Sequence, residues 1–217
     1  MTPLLERDIY LFDLDNTLYR PENQIIEQII RRFRDYVSEA LGLTPLAADE
    51  LCHHYYLTYG GTLRGIQLHH PDVDLLSLSS YAHDVDLSSV TGCENLVEAL
   101  EQNGKKRYVF TNSPRPYAER VLEHLGLRHC FDEVFSVEQT NYKMKPHPHA
   151  FRTICDHFGF EADNAVIFDD QPSNLTTAQT LGMRTVLVNR DDLESHTACF
   201  RTEQLAQFVG QLNQQQS

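Results

Sequence analysis

The sequence predicts an α/β protein whose parallel sheet is interrupted, after its first strand, by a wholly helical insertion. Three observations predict it. Short apolar runs ending abruptly in polar residues alternate with amphipathic stretches from about residue 95 onward, the pattern of βαβ units with helices on both sheet faces. One further run of this kind, residues 9–12, stands alone near the N-terminus. Between it and residue 90 the apolar spacing is helical throughout, with no strand signal. The expected architecture is a Rossmann-like, doubly wound core of residues 1–20 and 91–217, with residues 21–90 as an inserted all-helical domain.

Residues 9–12 (Ile-Tyr-Leu-Phe) read as a buried strand because they are continuously apolar, with β-branched and aromatic character. The run stops at Asp13. Pro21-Glu22-Asn23 marks a turn, after which Ile25, Ile26, Ile29, Ile30, Phe33, Tyr36 and Val37 recur at helical spacing until Gly42. A second helix is expected over 45–59, closed by Gly60-Gly61, then a short segment over 63–68 and a helix over 72–78. The core resumes with a helix over 95–102 and a strand over 105–110 that ends at Thr111-Asn112-Ser113. A helix over 116–125, a strand over 131–137 and a helix over 147–158 follow, the helices stopped by Gly126 and Gly159. Residues 165–168 (Ala-Val-Ile-Phe) form the clearest buried strand and end at Asp169-Asp170. A helix over 174–181, a strand over 185–188 and a helix over 202–212 complete the pattern, with a Gln-rich tail over 214–217 and no internal repeat.

Composition narrows the chemistry. With 31 acidic against 18 basic residues and a net charge of −13, the chain is a poor match for a nucleic-acid polymer, whose phosphates are bound by clustered Lys and Arg. The five cysteines (Cys52, Cys93, Cys130, Cys155, Cys199) contain no C-x-x-C pair and read as reduced thiols. No basic segment followed by a long apolar core opens the chain, and no apolar run reaches the roughly 18 residues that span a bilayer. The expectation is a cytoplasmic protein, monomeric or homodimeric, acting on a small molecule.

Three of the strands end in polar groups: Asp13 and Asp15, then Thr111-Asn112-Ser113, then Asp169-Asp170. In a parallel sheet those ends lie on one edge, where ligands bind. Lys143-Met144-Lys145-Pro146 falls between the last two. Carboxylates gathered there do not all stay ionised cheaply unless a cation neutralises them or one holds a proton. Hard oxygen donors suit magnesium, which takes carboxylates, water and a substrate phosphate. With magnesium between Asp13, Asp169 and a phosphoryl group, Asp13 is placed to act as nucleophile and Asp15, two residues on, as general acid and base. Thr111 and Lys145 would donate to the phosphoryl oxygens.

These residues resemble the four motifs of the haloacid dehalogenase superfamily: Asp13-Leu14-Asp15-Asn16-Thr17, Thr111-Asn112, Lys145-Pro146 and Asp169-Asp170, in order and over nearly the whole chain. The resemblance implies an aspartyl-phosphate on Asp13 and phosphate binding by Thr111, Asn112 and Lys145. It also implies magnesium held by Asp13, the backbone carbonyl of Asp15, and Asp169. Asp170 is then either a further ligand or a partner that orients one. Lys143 rivals Lys145 for the lysine role; Lys145 is preferred because the family's lysine commonly precedes proline. Residues 21–90 look like the family's cap, which closes over the site and selects the substrate.

Asp13 to Tyr19, with His54-Tyr55-Tyr56, Tyr59-Gly60 and Leu63-Arg64-Gly65, is similar to the pyrimidine 5′-nucleotidase branch, which implies nucleoside monophosphates such as UMP and CMP. Tyr55, Tyr56, Tyr59 and Arg64 are the candidate substrate contacts; packing between insertion helices is the competing reading of the tyrosines. Asn174 either orients the metal ligands or caps its helix. A sugar-phosphate or phosphoglycolate phosphatase on the same core is the alternative, because specificity lies in the cap. Haloalkanoate dehalogenation is disfavoured, since it does not need Asp15. A regulatory module without catalysis is disfavoured too, since no motif residue is missing.

Overall fold

In the computed structural model, which describes residues 2–20, 24–92, 95–102, 104–188 and 198–214, six strands form one parallel sheet. They are β1 (Ile9–Phe12), β2 (Lys106–Phe110), β3 (Glu133–Phe135), β4 (Ala165–Asp169), β5 (Arg184–Val188) and β6 (Phe200–Thr202), in the order β3-β2-β1-β4-β5-β6. Chain order reverses between β1 and β4. In such sheets the crevice outside the carboxyl ends at that switch point is the ligand site.

The helices are α1 (Thr2–Leu5), α2 (Ile25–Leu41), α3 (Pro45–Tyr59), α4 (Thr62–His69), α5 (Leu75–His83), α6 (Leu96–Glu101), α7 (Arg115–His124), α8 (Pro148–Phe158), α9 (Pro172–Thr180) and α10 (Leu205–Gln214). Tyr10, Phe12, Val109, Val166 and Phe168 face one side of the sheet, under apolar residues of α6, α7 and α10. Ile9, Leu11, Phe110 and Ile167 face the other, under α8 and α9. Successive strand residues point to opposite faces, and here both faces are covered, which is why these runs are apolar without alternation. Phe12 stacks on Phe168 across β1 and β4 with ring centres 4.4 Å apart, so the two strands that flank the switch point are locked together.

Helices α2 to α5 lie between β1 and β2 in the chain and build a cluster of their own from Val37, Ala48, Cys52, Tyr55, Leu63, Ile66 and Leu78. Val137 and Met144 of the sheet-bearing part join it, so the insertion packs directly on the segment that precedes Lys145. Gly42 ends α2 in the left-handed conformation (φ 63) that a residue without Cβ adopts freely. Gly65 is required for a different reason: a Cβ there would lie 2.1 Å from Cγ of Tyr55, so its absence lets α3 and α4 touch. An antiparallel bridge between Tyr19 and Gly92 joins the chain where it leaves for the insertion and where it returns.

The structure departs from the sequence expectations at element ends. The helix expected over 72–78 is α5, which starts after Asp74 because that side chain accepts from the Leu76 N–H, and which runs through Ser79 and Ser80 to His83. The strand expected over 131–137 shrinks to β3, because Val137–Thr140 turn into a 3-10 helix whose Gln139 side chain accepts from the Ser136 N–H at 2.8 Å. Neither β6 nor α1 was expected; each has only three or four residues, too few for a periodic signal. The turn expected at 21–23, Cys93 and the tail from 215 lie outside the described residues. Cys52, Cys130, Cys155 and Cys199 are free thiols. Among the described residues no helix is long and apolar enough to cross a membrane.

Candidate active site

The pairing of β1 with β4 delivers two aspartates side by side. The Asp13 N–H donates to the Phe168 carbonyl at 2.9 Å, continuing the ladder one residue beyond β1, and Asp169 ends β4. Asn16 then turns the chain in the left-handed region (φ 60), which asparagine tolerates. Past that turn Thr17 returns its hydroxyl to Asp13 Oδ2 at 3.3 Å.

Lys145, in the segment between β3 and α8, reaches the same point. It is only 1% exposed, and its Nζ donates to Asp13 Oδ1 (2.9 Å), Asp169 Oδ2 (2.8 Å) and the Phe110 carbonyl (2.7 Å). Burial alone would disfavour the ammonium, but the charges of Asp13 and Asp169 outweigh it and hold Lys145 above the usual lysine range. The Asp13 carboxyl is pushed well above the ordinary aspartate range by burial. Lys145 pulls it down, and Asp169, Asp170 and Asp15 push it up again.

Asp13, Asp169 and Asp170 offer oxygens that all lie within 4.8 Å of one another. With all three ionised around one ammonium, two negative charges remain, the amount one divalent cation cancels. The donor set is oxygen alone, so these residues could hold a hard metal ion. Their orientation is built. Asn174 Nδ2 donates to both oxygens of Asp169 (2.9 and 3.0 Å), the Gln171 N–H to Asp169 Oδ1 (2.8 Å), and Gln171 Nε2 to Asp170 Oδ2 (2.6 Å). Asn174 therefore orients Asp169; the residue at the cap position of α9 is Gln171.

Asp15 is held by three hydroxyls: Tyr19 (2.6 Å) and Tyr117 (2.8 Å) donate to its Oδ1 and Ser113 (2.6 Å) to its Oδ2. Burial first, then the Asp15 charge, pushes both phenols above the ordinary tyrosine range, so they stay neutral donors. Sequence reasoning missed all three. Ser113 stood in a polar strand end without a role, and nothing local marks Tyr117, whose partner is 102 positions away.

Thr111 is buried, and its Oγ1 accepts from the Ser113 N–H at 2.9 Å. Asn112, expected beside it as a phosphate ligand, has both ends of its amide on the Lys145 main chain: Nδ2 donates to the carbonyl (2.9 Å) and Oδ1 accepts from the N–H (2.8 Å). What Asn112 does here is hold the backbone of the lysine. Between the two candidate lysines, the structure puts Lys145 among the carboxylates.

The carboxylates open on a cavity of about 260 Å³ walled by Asp13, Asp15 and Ser113 from the strand ends and by Ile26, Phe33 and Tyr56 from the insertion. An outer cavity of about 770 Å³ adjoins it, with Tyr56, Gly60, Asn112, Met144, Gln171 and Asn174 common to both. Tyr56, Tyr59 and Arg64 line the outer cavity. Tyr55 does not, which corrects its assignment as a substrate contact. It is 5% exposed within the insertion's apolar cluster, and its hydroxyl meets His70 Nε2 at 2.9 Å. Tyr59 bonds His69 Nε2 at 2.6 Å, so the adjacent histidines turn to different tyrosines.

The fold and this acidic edge define a class: a Rossmann-like α/β protein with a metal-competent carboxylate cluster at the switch point, roofed by a helical insertion. The chain belongs to the haloacid dehalogenase-like hydrolases, whose family profile matches residues 10–188. Among its relatives is phosphate metabolism protein 8 of Saccharomyces cerevisiae, 26% identical over 83% of this chain and 61% of that protein, so the chain spans less than two thirds of the yeast protein. Validoxylamine A 7′-phosphate phosphatase of Streptomyces hygroscopicus subsp. limoneus is 28% identical over 81% of this chain and 82% of that enzyme. A phosphoglycolate phosphatase of Rhodospirillum rubrum is 33% identical over 52% of this chain and 47% of that enzyme. The crystal structure of a HAD phosphatase from Thermococcus onnurineus shares the fold, with a TM-score of 0.64, 23% identity, and coverage of 94% of this chain and 97% of that one. The family is one of hydrolases, and the relatives named as phosphatases act on phosphate esters.

Proposed function

We propose that the protein hydrolyses a small phosphomonoester through an aspartyl-phosphate on Asp13, with magnesium as its metal. The observation that carries this is Lys145 bound between Asp13 and Asp169, with Asp15 held two residues away by three donors. An Asp13 oxygen attacks phosphorus, the bond to the leaving oxygen breaks, and Asp15 gives that oxygen its proton. Water then attacks the phosphoryl group, Asp15 takes its proton, the bond to Asp13 breaks and inorganic phosphate leaves. Tyr19, Tyr117 and Ser113 fix the position of both Asp15 oxygens for these transfers. Magnesium bound by Asp13, the Asp15 backbone carbonyl, Asp169 and Asp170 would neutralise charge on the transferring group. Thr111 and Lys145 serve as phosphate ligands, and Asn112 supports them by fixing the Lys145 backbone.

We assign residues 21–90 as a cap and residues 1–20 with 91–217 as the catalytic core, a division supported by the Tyr19–Gly92 bridge and by the cavity walls that both parts share. For the substrate, the resemblance to the pyrimidine 5′-nucleotidase branch favours UMP or CMP, with Tyr56, Tyr59 and Arg64 in the outer cavity as contacts. The second reading, a sugar-phosphate or phosphoglycolate phosphatase, is favoured by the named activities of the relatives. A cytoplasmic location fits either. The test is phosphate release with magnesium, and with EDTA as control, across UMP, CMP, AMP, phosphoglycolate and several sugar phosphates. Preference for pyrimidine monophosphates supports the first reading, preference for the others the second, and no metal-dependent release from any refutes both.

A further inference from the structure

The outer cavity differs in charge from the rest of the molecule. The chain has 31 acidic and 18 basic residues, yet no Asp or Glu lines this cavity of about 770 Å³, while Arg64, Lys143, Lys145 and His147 do. Lys145 is committed to Asp13 and Asp169. Arg64 and Lys143 are not: neither enters any ion pair among the described residues, and Arg64 donates to the neutral Gln67 side chain.

One connection links the segments that carry the two cations. Gln67, the partner of Arg64, donates through Nε2 to Asn141 Oδ1 at 3.0 Å, which ties α4 to the segment carrying Lys143. Immediately before Lys143, Asn141 and Tyr142 both adopt left-handed backbone (φ 50 and 60). Left-handed backbone is unfavourable for a tyrosine, so the surroundings impose the turn that precedes Lys143 on the cavity wall. His149 reports the same concentration of charge. Burial first, then Lys143, His147 and Arg152, hold its imidazole below the ordinary histidine range.

We propose that the outer cavity receives a leaving group bearing a second anionic group, a carboxylate or a second phosphate, paired with Arg64 and Lys143. This rests on the reading of the inner site as the place of phosphoester hydrolysis, and of the two substrate readings it sides with the second, since a carboxylate-bearing ester such as phosphoglycolate supplies a second anion and the nucleoside of UMP or CMP does not. A neutral leaving group would cover two cations without pairing either, and a second anion removes that cost. The other walls, including Leu57 and Leu68, offer no competing anion.

The experiment compares kcat/KM within two matched pairs: glycerol 3-phosphate against 3-phosphoglycerate, and a nucleoside 5′-monophosphate against its 3′,5′-bisphosphate. The doubly anionic member of at least one pair should be favoured by about tenfold, with the advantage shrinking as salt is raised from about 0.02 to about 0.5 M on the native enzyme. In Arg64→Gln with Lys143→Gln the ratio should fall to about one, and Lys143→Arg should preserve it. Equal or reversed ratios in both pairs, or a preference that survives the double substitution or high salt, overturn the proposal while leaving hydrolysis intact. Absence of release from all four compounds and from para-nitrophenyl phosphate instead overturns the phosphatase reading, and the proposal with it.

Discussion

Replacing Lys145 with methionine would leave Asp13, Asp169 and Asp170 facing one another without the ammonium between them. Methionine keeps most of the stem's volume, so the cavity contribution is small and the loss is electrostatic. Three hydrogen bonds disappear, and two of them are to carboxylates buried with the lysine. Removing one partner of a buried ion pair costs about 3–5 kcal/mol, and the orphaned Phe110 carbonyl adds about 1–3. At about 2–4 °C per kcal/mol for a chain of this size, the metal-free variant should melt roughly 8–32 °C below the native protein at about pH 7.5. The sign of the pH dependence follows from Asp13. Its folded carboxyl lies above the unfolded value of about 3.9, so within that window the folded state holds more protons and stability falls as pH rises. Lys145 is the influence that lowers Asp13, so its removal widens the window. The variant's deficit should therefore be clearly smaller near pH 5 than near pH 7.5, and added magnesium should recover part of it at the higher pH. Circular dichroism melts of both proteins in EDTA, at both pH values and with magnesium restored, give the answer. Equal deficits at the two pH values, or no deficit, would refute the account of the cluster as a charge imbalance bridged by Lys145.

Asp13→Asn should reduce turnover to background, and Asp15→Asn should lower kcat on the order of a hundredfold to ten-thousandfold while magnesium still raises the melting temperature; full activity of a contaminant-free Asp13→Asn protein would end the aspartyl-phosphate reading. Tyr117→Phe removes one of three donors to Asp15, a hydrogen bond to a charged group of about 1.5–3 kcal/mol, so kcat should fall roughly tenfold to a hundredfold with KM unchanged, and an altered melting temperature with intact kcat would make Tyr117 a packing residue only. Gly65→Ala sets a gain of about 1 kcal/mol in helix propensity against about 1–3 kcal/mol of overpacking on Tyr55, and a lowered melting temperature is expected; a higher one would show that α3 and α4 separate easily. Inorganic phosphate should bind measurably by calorimetry with magnesium present and not in EDTA, and equal binding in both would show that the lysine is free to receive it.

Much of the site was legible because strand ends are legible. Ile9–Phe12 and Ala165–Asp169 are apolar to the point where their aspartates begin, and two-sided burial leaves no alternation to confuse the reading. Asp13 and Asp169 could thus be placed on one edge before any contact was known. Their helpers could not. Tyr19 bonds Asp15 from four residues on, but Ser113 and Tyr117 join it there only because β2 lies beside β1 and carries α7 after it, a fact of strand order that spacing does not contain. Tyr55 was misread for a related reason. Tyr55, Tyr56 and Tyr59 share one helix, and what sends Tyr55 inward is the missing side chain at Gly65 on the next helix. β6 escaped notice because three mixed residues gain their strand character from β5 alone.

The geometry of Lys145 also constrains the order of events in the proposed reaction. An ammonium has three donors, and all three are occupied by Asp13, Asp169 and the Phe110 carbonyl. Lys145 can give a hydrogen bond to a phosphoryl oxygen only by giving up one of these. If it left Asp13 or Asp169 with nothing in its place, the cluster would gain an unpaired buried charge as a phosphate dianion arrived, two unfavourable changes at once. Asp13, Asp169 and Asp170 would hold a divalent cation that supplies the missing neutralisation, and Lys145 would then be free to donate to the substrate. The two ligands are then thermodynamically coupled through one side chain, and each must tighten the other by the same factor. On this view the ion pairs of Lys145 are a resting arrangement, keeping three buried carboxylates compatible with the folded state until metal and substrate take over their neutralisation.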